Sequence, residues 1–131
     1  MKYWIGLDIG TKWTGIAISN ELVKIASPKK TVKTEHLIKE LKEMNKEYDF
    51  KGIILGFPLT TTGKIGQRAK IVQEMKKKIQ KELNIPVKLQ DERFTTKEAT
   101  KIASQLGKTK DKRFIDKISA SLILKEFLDE N

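Results

Sequence analysis

Two kinds of hydrophobic pattern alternate along this chain: short apolar runs and longer stripes at helical spacing. Residues 3–9 (YWIGLDI) and 14–19 (TGIAIS) have the compact, β-branched character of strands. Gly10-Thr11-Lys12 leaves room only for a tight turn, which predicts an antiparallel hairpin. A third extended piece is expected between residues 23 and 33, broken near Pro28. Leu37, Ile38, Leu41, Met44 and Tyr48 then form a helical stripe, with Thr34 as its candidate cap. Residues 52–56 (GIILG) read as a strand buried on both faces, and 57–66 as a loop rich in Thr and Gly.

A second long helix carries Ala69, Val72, Met75, Ile79 and Leu83 on one stripe. Pro86 opens another strand over 87–90, which ends at Asp91-Glu92-Arg93. Thr95 and Glu98 have the spacing of a capping box for a helix with Ala99, Ile102, Ala103 and Leu106 inward and Gly107 as its stop. A basic loop leads to a last helix over about 114–128. Antiparallel strands followed by βα units predict an α/β fold, a mixed five-stranded sheet with helices on both faces. With 131 residues and no repeat or linker, one domain spanning 1–131 is expected.

Composition removes several chemistries. There is no Cys, so disulfides, thiolate zinc sites and Cys nucleophiles are excluded. His36 is the sole histidine, which leaves no multi-His metal site, and its position suggests a surface residue. No apolar run reaches the ~20 residues of a membrane span, and the N-terminal run is interrupted by Asp8, unlike a signal peptide; a soluble cytoplasmic protein is expected. Lys and Arg number 27 against 17 Asp and Glu, a net charge of +10 that points to a polyanionic partner, although lysines also serve solubility alone.

Three acidic positions sit where a purely structural chain would place apolar groups. Asp8 shares a strand face with Trp4 and Gly6; as a bland alternative it is a turn aspartate bonded to the Gly10-Thr11 backbone. At the end of the 87–90 strand, alternation places Asp91 with the core residues and Glu92 on the other face, with pairing to Arg93 or helix N-terminal acidity as the plain alternative. Asp116 precedes Ala120, Ile123 and Phe127 by four, seven and eleven residues, on the most apolar stripe of the last helix. A carboxylate there must be paired, with Lys112 or Lys117 available, or else protonated or metal-bound. Hard oxygen ligands without Cys or clustered His suit Mg²⁺ or Mn²⁺, and a pair of such ions serves phosphodiester cleavage.

Leu7-Asp8-Ile9-Gly10-Thr11-Lys12 with Gly15, Gly56-Phe57-Pro58-Leu59, Asp91-Glu92-Arg93-Phe94-Thr95-Thr96 and Ile115-Asp116 resemble the YqgF family of Holliday-junction-resolvase-like, pre-16S rRNA nucleases. The resemblance runs nearly end to end. It implies a ribonuclease-H-like fold, a cytoplasmic location, metal-dependent nuclease chemistry and an acidic triad at Asp8, Glu92 and Asp116, which serve as catalytic residues and metal ligands. Glu92 is preferred to Asp91 because its face agrees with that of Asp8. Two departures concern the substrate loops: Thr60-Thr61-Thr62-Gly63 replaces an Asn-x-Asp-Gly loop, and Trp13 stands where a basic residue often follows the Gly-Thr-Lys turn. Trp13 is either packed or available to stack on an unpaired base.

The expected partner is nucleic acid, an rRNA precursor or branched DNA, contacted by Lys12, Arg93, Lys108, Lys110, Lys112 and Arg113; Lys76-Lys77-Lys78 reads as a solvated helix face. A monomer or weak homodimer without membrane contact is expected. The rival is a non-catalytic nucleic-acid-binding module of the same fold. A sugar-kinase-like phosphotransferase, suggested by Asp8-Ile9-Gly10-Thr11, needs a second domain that 131 residues do not supply, and residues 56–64 lack P-loop spacing.

Overall fold

The computed structural model describes residues 1–58, 66–92, 95–108 and 111–131. Its strands are β1 (Tyr3–Ile9), β2 (Trp13–Asn20), β3 (Ser27–Lys33), β4 (Phe50–Pro58) and β5 (Val87–Glu92). Its helices are α1 (Leu37–Glu47), α2 (Gln67–Leu83), α3 (Thr95–Gln105) and α4 (Lys112–Glu130). The strands form one sheet in the order β3-β2-β1-β4-β5. β1–β2 and β2–β3 are antiparallel, whereas β1–β4 and β4–β5 are parallel, as the hairpin followed by βα units requires.

Each face of the sheet builds its own core. Ile5, Leu7 and Ile9 alternate onto one side with Ile53 and Leu55, where Leu37, Leu41 and Met44 of α1 and Val72, Met75 and Ile79 of α2 cover them. Ala17 and Ile54 face the other side, against Ala120, Ile123, Leu124 and Phe127 of α4, and α3 packs on α4. Gly6 lets α4 approach the sheet: a side chain there would meet Leu124 Cβ at 2.7 Å and the Ala120 carbonyl at 2.9 Å. Among the described residues no helix is long and apolar enough to cross a membrane.

Several local expectations are corrected. The third strand begins at Ser27 because Asn20 Oδ1 accepts the amides of Leu22 and Val23, which turns the chain, and Leu22, Val23 and Ile25 stay exposed. Thr34 does not cap α1. Its hydroxyl donates to the Gly10 carbonyl and meets the Thr14 hydroxyl, both at 2.8 Å, while a 3-10 turn over Thr34–His36 leads into the helix. The last helix starts at Lys112, not near 114, because Asp111 caps it by accepting the Phe114 amide. Leu106 is exposed beyond the end of α3, where Gly107 at φ +72° stops the helix as expected. Residues 59–65 of the Thr-rich loop and the Thr95 side chain of the expected capping box lie outside the described residues. His36 is exposed, as its position in the sequence suggested.

Candidate active site

Asp8 is the penultimate residue of β1 and pairs across the hairpin with Gly15, so both point to the α4 side. A side chain on Gly15 would fall on the backbone carbonyl of Asp116. The first turns of α4 therefore lie directly on β2, and the Asp116 backbone takes the place beside Asp8 that a cross-strand side chain would occupy. Glu92 ends β5, two strands away in the order β1-β4-β5. Between them, Gly56 of β4 leaves room for its carboxylate: a Cβ at Gly56 would lie 3.1 Å from Glu92 Oε2. Asp8 and Glu92 are only 6% and 7% exposed, while Asp116 is half-buried. Asp8, Asp116, Gly10, Thr11, Lys12, Trp13, Arg68 and Lys112 line one cleft of about 310 Å³ at the carboxyl end of β1.

Glu92 is buried on the face that strand alternation predicts, but Asp91 does not enter a core. β5 is an edge strand, Leu89 is 38% exposed, and Asp91 lines a separate groove with Glu126 and Glu130. The turn alternative for Asp8 is not observed either; Asp8 engages Arg68, and the Gly10 amide donates to the Trp13 carbonyl.

Arg68, which the sequence reading missed, organises the carboxylates. It stands in the first turn of α2 and reaches around the strand ends. Its Nη2 donates to Asp8 Oδ1 and lies 3.8 Å from Glu92 Oε2, and its Nε donates to the Ile9 carbonyl at 3.2 Å. A signal existed: neither α2 nor α4 has an acidic residue in its first turn, and both place arginine or lysine where the helix dipole favours anions. Cations held against that preference mark a site that needs positive charge.

The Asp8 carboxyl is raised to about 7, first by burial and then by the charges of Glu92 and Asp116, with Arg68 opposing them. Asp116 is also raised by burial, against the attraction of Lys112 and Arg68. Lys117, the other candidate partner, lies over the Phe114 ring instead. Among the described residues the acids do not form a ready three-ligand cluster, because Arg68 stands between Asp8 and Glu92. The donor set nonetheless fits a divalent ion. Its members are hard oxygens, and their mutual repulsion, which lifts Asp8, is what a divalent cation relieves.

The expected nucleic-acid contacts divide into several groups. Lys12 and Lys112 line the cleft, Arg113 lies over the ring of the cleft residue Trp13, and Lys108 lies over the ring of Phe114. Lys112 and Arg113 belong to the first turn of α4, not to a loop as the sequence suggested. Arg93 and Lys110 lie outside the described residues.

A mixed sheet of this order, with a buried acid at the ends of β1 and β5 and α4 packed across them, is the ribonuclease-H-like architecture. The chain belongs to the RuvX family, described as Holliday junction resolvase, whose model matches residues 2–130. It is 38% identical over 132 residues to the "Putative pre-16S rRNA nuclease" of Bacillus subtilis (strain 168), covering 95% of this chain and 96% of that protein. The like-named protein of Clostridium beijerinckii is 38% identical over 130 residues, covering 95% and 94%. Among solved structures, T. thermophilus RuvC in complex with Holliday junction substrate superposes with a TM-score of 0.60 at 13% identity, over 99% of this chain and 95% of that one. Fowlpox virus resolvase gives 0.55 at 14% identity, over 98% and 97%. These two likenesses concern the fold, and bear out the ribonuclease-H-like expectation.

Proposed function

We propose that this protein hydrolyses phosphodiester bonds of precursor 16S rRNA in the cytoplasm, as one catalytic domain that uses Mg²⁺ or Mn²⁺ at Asp8, Glu92 and Asp116. The observation that carries the reading is the meeting of Asp8, Asp116 and a cationic rim in one cleft, with the buried Glu92 tied to Asp8 through Arg68. A pair of ions held there supplies an activated water and charge stabilisation at the leaving oxygen. The protein's own groups do the rest. Lys12, Lys112 and Arg113 draw the phosphate backbone to the cleft, with Arg93, Lys108 and Lys110 extending that contact. Close packing of α4 on Gly15 holds Asp116 in register with Asp8, and Arg68 neutralises the carboxylates before loading.

A second substrate, branched DNA, is suggested by the family description. Labelled pre-16S rRNA and four-way junction DNA, each incubated with Mg²⁺ or Mn²⁺, separate the two. Cleavage of the RNA that is abolished in Asp8→Asn is the expected result. Junction cleavage alone transfers the activity to DNA, and binding without cleavage of either substrate makes the protein a non-catalytic binding module.

A further inference from the structure

Trp13 lines the cleft, and both it and Phe114 stand outside the two cores. Trp13 and Phe114 are only half-buried, and neither joins the apolar clusters on the two sheet faces. Each is covered by cations. The Arg113 guanidinium lies 4.1 Å from the centroid of the Trp13 ring, and Lys108 and Lys117 each lie 5.3 Å from that of Phe114. The register explains the placement. Trp13 and Gly15 are two residues apart on β2 and share a face; Arg113 and Asp116 are three apart on α4 and share another. Gly15 meets Asp116 and Trp13 meets Arg113, and Trp13 and Asp116 line the same cleft.

A surface that only tracked a duplex backbone would need the lysines and arginine but not the rings, because the bases of a duplex present no free π-face to it. Half-exposed rings with planar or ammonium cations beside them stack on unpaired bases, while the cations take the adjoining phosphates. We infer that Trp13 and Arg113 form a stacking platform for an unpaired nucleotide beside the carboxylate cleft, so the substrate is single-stranded at the position that enters it. This deepens the nuclease reading and rests on it. Arg113 acts as a placeholder on the Trp13 ring, and its carbonyl, bonded by the Thr31 hydroxyl, fixes the turn that carries it.

The test measures binding in EDTA, apart from cleavage. Fluorescence anisotropy is followed with a short labelled RNA single strand and a duplex of equal length, for the parent, Trp13→Ala and Trp13→Phe. Trp13→Ala is expected to weaken single-strand binding roughly tenfold or more at unchanged salt slope, since removing a stack leaves every phosphate neutralised as before. Duplex binding should hold, and Trp13→Phe, which keeps a ring, should retain most of the affinity. Unchanged single-strand affinity in Trp13→Ala, or equal losses on both probes, overturns the platform and leaves the nuclease reading intact. Such losses would mean that Trp13 merely pins α4 to the hairpin. Failure of the parent to bind either probe overturns both.

Discussion

The Arg68 guanidinium, in the first turn of α2, donates to the buried carboxylate of Asp8 on β1, the two residues being sixty positions apart in sequence. The same group also reaches Glu92 and the Ile9 carbonyl. Arg68 thus holds in place two acids that belong to different strands and repel one another.

Arg68→Gln is expected to destabilise the metal-free protein by about 1–3 kcal/mol at pH 8, because ionised, buried carboxylates are deprived of their counter-charge. The partial exposure of Arg68 keeps the figure below that of a fully buried pair. The same change should tighten Mn²⁺ binding, since arginine and metal are attracted to the same oxygens. Thermal melts in EDTA and calorimetric Mn²⁺ titration read the two effects; weaker Mn²⁺ binding would make Arg68 a support of the loaded site instead.

The raised Asp8 carboxyl gives the metal-free fold a defined pH dependence. Its folded pKa, about 7, lies above the ordinary 3.8, so the folded state holds a proton that the unfolded state has released. Its contribution to stability is fully present below pH 3.8, declines by up to roughly 1.4 kcal/mol per pH unit, and is gone above about 7. Asp8→Asn should flatten this decline in melts from pH 4 to 8 and leave the metal-free protein more stable at the alkaline end. Mn²⁺ affinity of the parent should rise through the same interval, as ionisation frees the ligand.

Asp116→Asn should lower cleavage at least a hundredfold while leaving the metal-free melting temperature equal or higher. Burial already disfavours this carboxylate, Lys112 acting only to offset it. A drop in melting temperature with activity retained would show that Asp116 serves an ion pair and not the reaction.

Combined replacement of Lys108, Lys112 and Arg113 by Gln should reduce the log–log salt slope of nucleic-acid binding by about 0.7–0.9 for each phosphate that is no longer neutralised. An unchanged slope would place the backbone path elsewhere on the protein.

The strands, the helix stripes and the faces of Asp8 and Glu92 were legible because periods of two and 3.6 report burial directly. Asp116 was legible for the same reason, as a charge on an apolar stripe. Local turn chemistry was less so. Thr34 has the residue type of a cap, but its hydroxyl spends its bonds on Gly10 and Thr14, partners fixed by the hairpin. Arg68 has no periodic signature at all; its role depends on α2 beginning where β1 ends, a relationship only the parallel crossover creates.

The contact between Gly15 and the Asp116 carbonyl joins main chain to main chain. The spacing of Asp8 and Asp116 is consequently dictated by peptide geometry and not by the size of any intervening side chain. A side chain at position 15 would push the first turns of α4 off β2 and widen that spacing, so the cleft's two facing carboxylates depend on a residue that carries no functional group.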